Sequence, residues 1–185
     1  MNKIIPLAVV AFLGLSSLFV VREGQNALIL RLGKIIQIDQ SQPKNFQPGL
    51  HVKIPLVDQV LYYDKRLQTL SPVNTQKVLT AEQKRLIVDY YVKWRIDNLT
   101  QFYKSTSGDA TKAEYLLMQK VNDALRSAFG ERTISEVVSG ERSEIMQLLK
   151  TKADEGANAL GISVVDVRIK RIDLPHEVQE SVYSR

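Results

Sequence analysis

The sequence contains no cysteine and few of the residues that usually carry catalysis or bind metals. Without cysteine there can be no disulfide, thiol nucleophile or zinc–thiolate site in this stretch of chain. The two histidines, His51 and His176, are far apart, and neither belongs to a pair such as H-x-x-x-H or H-E-x-x-H. No serine lies in G-x-S-x-G, and no glycine-rich loop has the Walker pattern. We therefore expect no catalytic residue, metal site or cofactor, and do not expect an enzyme.

Charge is mixed in sign along the chain rather than concentrated. The formal net charge is +5 and the pI is about 9.4. The densest basic stretch, residues 168–171, is diluted by Asp166 and Asp173. Nucleic-acid binding would need a basic stripe with interleaved aromatic residues. A solvated surface with some attraction to anionic lipid headgroups is the favoured interpretation, and no nucleic-acid partner is expected.

What the sequence does contain is one long apolar run near its N-terminus. Residues 4–21 are eighteen residues without a charge, and twelve of them are Leu, Ile, Val or Phe. As a helix this run would be about 27 Å long, which is enough for the hydrocarbon core of a bilayer. The apolar residues surround the helix rather than forming a stripe. We therefore predict a transmembrane anchor over residues 1–21, with these residues in the membrane: Ile4, Leu7, Val10, Phe12, Leu15, Phe19 and Val21.

A cleaved secretory signal is the alternative, because Lys3 followed by an apolar run also fits that template. No A-x-A-like cleavage site follows the run, which continues directly into a strand-like pattern, so an uncleaved anchor is favoured. Orientation stays open from charge alone, because only a few basic residues flank the run: Lys3 on one side, and Arg22, Arg31 and Lys34 on the other.

The next part of the chain is β-rich. Short strands are predicted at residues 25–32, 35–38, 50–54, 60–63, 66–69 and 73–79, with a tight turn at Pro48-Gly49. The clearest strand is 85–96, where Leu86, Val88, Tyr90, Val92, Trp94 and Ile96 share one face. Strict alternation of this length predicts an antiparallel sheet with one buried side.

The hydrophobic period then changes from two to 3.6 residues. Helices are predicted at residues 99–104, 111–129, 133–140 and 141–160, and both Thr111-x-x-Glu114 and Thr133-x-x-Glu136 have the form of a capping box. A last strand is predicted at 162–172, with Val165, Val167 and Ile169 on one face. Pro175 is expected to open a helix that is still continuing at Arg185, as in a longer parent chain.

These elements predict an α+β fold in four segments. They are the anchor at 1–21, a β-rich half at 22–97, a helical and αβ half at 98–172, and the start of a long helix at 173–185. Leu50, Ile54, Leu56 and Val57 are candidates for contact with membrane headgroups close to the anchor. An ordinary core strand explains the same apolar residues equally well.

Several segments together resemble one known family. They are V-R-E-G-Q-N-A at 21–27, L-R-L-G-K at 30–34, P-G-L-H-V-K-I-P at 48–55, V-D-Y-Y-V-K-W-R-I at 88–96, G-I-S-V-V-D-V-R-I-K at 161–170 and I-D-L-P-x-E-V at 172–178. In this order they resemble the stomatin–prohibitin–flotillin–HflK/C (SPFH) family, and within it the branch that pairs with HflK. The short segment ahead of the apolar run supports that branch.

The resemblance implies a non-enzymatic membrane scaffold. Such proteins pair with an HflK-like subunit in the bacterial inner membrane and form a ring or cage around the membrane AAA+ protease FtsH, restraining its access to membrane substrates. It also implies that most of the chain faces the periplasm, and that the helix at Pro175 continues into a coiled coil. A stomatin-like regulator of channels or lipid microdomains, with the same fold and anchor, is the alternative.

Overall fold

A computed structural model of the chain describes residues 14, 16–39, 42–43, 46–139 and 142–173. The chain divides into two compact units, Met1–Arg66 and Leu67–Arg185. This boundary differs from the predicted division into halves at residues 97 and 98. The long strand of residues 85–96 pairs with strands at 68–70, 76–79 and 162–173, all in the second unit.

The described residues of the first unit form seven short strands. They are β1 (Leu18–Val21), β2 (Gln25–Arg31), β3 (Lys34–Ile35), β4 (Gln37–Asp39), β5 (Gln42–Pro43), β6 (Gly49–Val52) and β7 (Asp58–Asp64). Three antiparallel groups result: a β1–β6 ribbon, a sheet in the order β3-β2-β7, and a β4–β5 pair. The sheet and the ribbon come together through a small core of Phe19, Val21, Ala27, Ile29 and Phe46.

The predicted anchor helix is wrong at its C-terminal end. Phe19 and Val21 lie in β1 and are buried in the core of the first unit, rather than facing lipid. Gly14 and Ser16 are helical, whereas Ile4, Leu7, Val10, Phe12 and Leu15 lie outside the described residues. The strand forms because β6 supplies backbone partners for Leu18–Val21, a long-range pairing that the apolar run itself does not encode.

The second unit has one antiparallel sheet around a long central strand. Its strands are β8 (Gln68–Leu70), β9 (Gln76–Leu79), β10 (Arg85–Ile96) and β11 (Ile162–Asp173). Strand β10 pairs with β11, while β8 and β9 pair with different parts of β10. The predicted face of β10 is confirmed for Leu86, Val88, Tyr90, Val92 and Trp94, which are buried, and Ile96 is half-buried.

Two β-bulges in β11 change the predicted face of that strand. The pairing skips Val165 between Val164 and Asp166, and skips Lys170 between Ile169 and Arg171. Each extra residue reverses which face the following side chains occupy. Val164, Val167 and Ile169 are therefore buried, whereas Val165 is exposed. The prediction that Val165 shares a face with Val167 was wrong because it assumed unbroken alternation.

Between β10 and β11 the described residues form four helices. They are α1 (Leu99–Thr106), α2 (Ala110–Gly130), α3 (Ile134–Ser139) and α4 (Arg142–Asn158). The predicted capping box at Thr133 is confirmed, because Glu136 accepts a hydrogen bond from the Thr133 backbone N–H at 2.9 Å. The box predicted at Thr111 is wrong. The N-cap is Asp109, whose carboxylate accepts from the backbone N–H of Thr111 at 2.8 Å.

The helices and the sheet bury large side chains together. Trp94, Tyr90, Phe102 and Phe129 are among the largest fully buried residues. The Tyr90 hydroxyl donates a 2.8 Å hydrogen bond to Asn122 of α2, and burial raises its pKa. Gly161 turns the chain from α4 into β11 at a φ of +75°, where a Cβ would lie 2.3 Å from the carbonyl oxygen of Asn98. Only glycine fits this close approach.

Candidate functional site

The β1–β6 ribbon has one buried face and one exposed apolar face. In its register Leu18 pairs with Val52 and Val20 with Leu50. These four side chains are between 46% and 68% exposed. On the other face Phe19 is buried against His51 and Phe46, with ring centroids 5.5 and 5.6 Å from that of Phe19. Two cross-strand aliphatic pairs thus face outward from a folded ribbon, which is unusual without a partner.

Two loops beside the ribbon end in exposed leucines, and we call them together the leucine tip (residues 31–33 and 54–58). Leu32 is 83% exposed and Leu56 is 98% exposed. Both have left-handed backbones, with φ of 51° and 71°. That conformation disfavours a side chain with a Cβ, and an exposed leucine gains no burial in exchange. The backbone N–H of Leu32 donates to the carbonyl of Val57, which joins the two loops.

An ion pair at the base of the tip holds its shape. Arg31 at the end of β2 reaches Asp58 at the start of β7 through two contacts, Nε to Oδ1 at 2.7 Å and Nη2 to Oδ2 at 3.0 Å. Oδ2 also accepts a 2.8 Å hydrogen bond from the backbone N–H of Ile54. The Arg31 hydrogen bond lowers the pKa of the buried Asp58 carboxyl, with smaller contributions from Ile54 and Lys53. A buried carboxylate thus closes the loop that presents Leu56.

The exposed ribbon face and the leucine tip meet at the start of β1. The carbonyl of Ser17 accepts a 2.8 Å hydrogen bond from the backbone N–H of Lys53, immediately before the loop of the tip. Ser17 therefore lies beside both the ribbon and the tip. The exposed ribbon face and the leucine tip are consequently neighbours in the first unit.

The predicted membrane-contacting residues divide between these features. Leu50 lies on the exposed face of the ribbon, and Ile54 and Leu56 are exposed in the tip. Val57 is half-buried, so its side chain contributes less to the surface. Sequence reasoning placed Leu18 and Val20 within the anchor at 1–21 and missed Leu32 and Val52. Alternation within β6 could have indicated Val52, because it shares a strand face with Leu50.

Histidine and acidic residues form no metal-binding cluster in the part of the chain that the structure describes. His51 instead packs edge-to-face with Phe46 at 5.1 Å between ring centroids, and its Nε2 donates a 2.7 Å hydrogen bond to the Gln47 carbonyl. His176 lies outside the described residues. His51 thus has a packing role in the first unit.

Among the described helices, none is both long enough and apolar enough to cross a bilayer. Most of the predicted anchor falls at positions that the structure does not describe.

Comparison with known proteins identifies the class. The sequence model for the SPFH domain / Band 7 family matches residues 19–185. The chain therefore belongs to the SPFH domain / Band 7 family, as the sequence resemblance predicted.

Individual relatives carry the resemblance further, to HflC proteins. The chain is 44% identical to Protein HflC of Haemophilus influenzae, with 96% of this chain and 61% of the relative covered. It is 38% identical to Protein HflC of Buchnera aphidicola subsp. Schizaphis graminum, covering 100% of this chain and 66% of the relative. It is 34% identical to Modulator of FtsH protease HflC of Escherichia coli strain K12, covering 91% and 62%. The chain thus spans between 61% and 66% of the length of these relatives.

Proposed function

We propose that this chain is part of a non-enzymatic scaffold that modulates an FtsH-type membrane AAA+ protease. The observation that carries the proposal is the 34% identity, over 91% of the chain, to a relative named Modulator of FtsH protease HflC. In this proposal the chain assembles with an HflK-like subunit into a ring or cage. The assembly restrains the access of FtsH to membrane substrates and performs no chemistry itself.

The exposed apolar surface supports a membrane location for the first unit. The apolar segment ahead of β1 would hold the chain at the bacterial inner membrane, and the bulk of the chain would face the periplasm. The ribbon face and the leucine tip would then contact the headgroup region through Leu50, Ile54 and Leu56, together with Leu18, Val20, Leu32 and Val52. Contact with lipid removes these aliphatic groups from water, at about 25 cal/mol per Å². Apolar residues left exposed next to an apolar segment are typical of membrane-contacting surfaces.

Affinity purification from native membranes tests the partners. The protein, tagged at its C-terminus, should co-purify with an FtsH-type AAA+ protease and a second SPFH protein. Recovery of a channel in place of the protease would contradict the proposal and favour the stomatin-like alternative. A tagged unrelated single-span protein serves as the control.

Substrate turnover tests the function itself. Membranes lacking the protein should degrade a membrane-protein substrate of the protease faster than membranes containing it. Degradation of a water-soluble substrate should be unchanged, because the scaffold acts on access rather than on the protease active site. Equal rates for the membrane substrate in both preparations would refute a restraining role.

Orientation can be tested with single cysteines, since the sequence has none of its own. Gln119 is an exposed residue of α2. In Gln119→Cys, a membrane-impermeant maleimide should label intact spheroplasts as fully as it labels lysed membranes. Labelling only after lysis would show that this unit is cytoplasmic.

A further inference from the structure

A groove of about 600 Å³ opens beside the leucine tip. Apolar walls come from Leu30, Leu32, Leu56 and Val60, while Lys53 and Tyr62 add polar atoms to its lining. Tyr62 is 46% exposed and Leu56 98% exposed, so the groove is accessible from the exposed leucines of the tip. An amphipathic groove of this size can take a charged headgroup and the first part of an acyl chain.

The electrostatics around the groove favour an anionic occupant. From Gly24 to Val57 the sequence contains four basic residues and one acidic residue, Asp39. Arg31, Lys34 and Lys53 belong to or border the tip. The one carboxylate at its base, Asp58, is already paired with Arg31 at 2.7 Å. Lys53 therefore faces the groove without an acidic group among its lining residues other than the neutralised Asp58.

We propose that this groove binds the headgroup of an anionic phospholipid in the membrane on which the first unit lies. Lys53 pairs with the phosphate, and Tyr62 contacts the headgroup at interfacial depth, where tyrosine is enriched. The acyl chains lie against Leu32 and Leu56. This inference rests on the membrane contact proposed above and adds the kind of lipid that the contact selects.

The apolar surface next to the groove favours a lipid over a peptide as its occupant. The exposed leucines beside the groove gain no burial within the protein, yet their loops are held by the Arg31–Asp58 pair and the Ile54 hydrogen bond. Ser17, which belongs to the uncharged apolar run of the sequence, lies at the same end of the unit, because its carbonyl accepts a hydrogen bond from the backbone N–H of Lys53. A rigid apolar projection with adjacent cations matches the depth profile of an anionic bilayer, where hydrocarbon lies beneath negative charge.

Lipid-selective quenching on the whole chain tests the proposal. The full chain, in vesicles of phosphatidylcholine containing phosphatidylglycerol, carries one fluorophore at Leu56→Cys or at Gln59→Cys, an exposed residue of the groove. Spin labels are placed on the acyl chains or on the headgroups of either lipid. The label at residue 56 should be quenched by acyl-chain spin labels. The label at residue 59 should be quenched more strongly by phosphatidylglycerol than by phosphatidylcholine at equal mole fraction, by up to about five-fold.

Variants of Lys53 distinguish binding in the groove from general electrostatic attraction to an anionic membrane. Lys53→Gln should bring the quenching ratio at residue 59 close to one, while Lys53→Arg should keep the preference. Lys65→Gln is the matched control, because Lys65 is exposed just beyond the opposite end of β7. In 1 M salt, where the Debye length is about 3 Å, the preference of the unmodified chain should fall.

The outcomes distinguish this inference from the function on which it rests. Equal quenching by the two lipids at residue 59, with residue 56 quenched by acyl chains, overturns the headgroup site and leaves the membrane contact standing. A preference that survives Lys53→Gln but is lost in Lys65→Gln also overturns the site. Absence of acyl-chain quenching at residue 56 overturns both the site and the proposed membrane contact.

Discussion

The two units of the chain differ in where their large apolar side chains lie. In the first unit, Leu18, Val20, Leu50 and Val52 share one exposed ribbon face, and Leu32 and Leu56 project from adjoining loops. In the second unit, Trp94, Phe102 and Phe129 are completely buried. Its exposed apolar residues come from separate elements: Leu67, Val73, Leu79, Tyr115 and Val165.

This difference indicates different sources of stability and different roles. The second unit has a conventional core, in which buried aromatic and aliphatic groups stabilise the sheet and helices. Among its described residues the first unit buries the cluster of Phe19, Val21, Ala27, Ile29 and Phe46 together with Leu28 and Leu30, and it leaves several aliphatic side chains exposed. Mutations at apolar positions should therefore affect folding in the second unit and surface contacts in the first.

The largest expected effect is loss of a buried aromatic ring in the second unit. Phe129→Ala should destabilise that unit by about 3–5 kcal/mol, because it removes apolar burial and leaves a cavity. Trp94, the only tryptophan in the sequence, reports unfolding of this unit by fluorescence during denaturant titration. Leu50→Ala in the first unit is the control and should leave this transition within about 0.5 kcal/mol. Equal shifts of the unfolding transition in Phe129→Ala and Leu50→Ala would contradict this difference between the two units.

Loss of the carboxylate that closes the tip should have a smaller and local effect. Asp58→Ala should weaken the tip by about 2 kcal/mol, because the Ile54 N–H and the Arg31 guanidinium lose their acceptor. Hydrogen exchange of a peptide covering residues 53–58 measures this directly. Gln59→Ala, at an exposed neighbouring position, should leave the exchange unchanged. Unaltered protection in Asp58→Ala would mean that the ion pair does not hold the loop.

The same carboxylate predicts a pH dependence for the tip. The pKa of Asp58 is lowered on folding, chiefly by the Arg31 hydrogen bond. A carboxyl with a lowered folded pKa stabilises fully above its unfolded pKa of about 3.9, and this stabilisation is lost as pH falls through the folded pKa. Protection of residues 53–58, corrected for intrinsic exchange, should therefore be constant near neutral pH and decrease below about pH 4. In Asp58→Asn this decrease should be absent, and its persistence would assign the effect to another group.

The smallest effect on folding should be a gain in stability. Leu56→Asn should stabilise the tip by less than about 1 kcal/mol, because asparagine tolerates the left-handed backbone better than leucine does. The same change should reduce acyl-chain quenching of a label at exposed Gln59. Leu50→Asn, in the extended strand β6, should reduce lipid contact without the gain in stability. Lower stability of Leu56→Asn in detergent would show that Leu56 packs within the protein.

Periodic segments of the second unit could be predicted from sequence because local pattern determines them. Alternation across β10 predicted its buried face, and the Thr133–Glu136 spacing predicted a real capping box. The start of α2 was misplaced because two neighbouring polar residues can both cap a helix. Geometry then selects Asp109 over Thr111. A segment whose apolar residues repeat with one dominant period can be assigned from its local sequence alone.

The first unit was harder to predict because its decisive contacts join distant parts of the chain. Leu18–Val21 reads as the end of an apolar helix until β6 supplies backbone partners. The Arg31–Asp58 pair connects residues that are 27 positions apart, so nothing local indicates it. The exposure of Leu32 and Leu56 depends on left-handed turns, and hydrophobic character alone predicts the opposite.

The double bulge of β11 also limits how this strand can change length. Three parts of β11 each alternate independently between the two faces of the sheet, which gives each its own two-residue frame. They are the residues before Val165, those between the two bulges and those after Lys170. Deleting Val165 alone would remove the first bulge and leave Ile162, Val164, Val167 and Ile169 in one alternating frame on the buried face. Deleting Arg168 instead would turn Val167 and Ile169 to opposite faces. A one-residue deletion is therefore expected at a bulge or in the loops at either end of β11, whereas a deletion at a paired position between the bulges would have to be matched by an extra residue nearby.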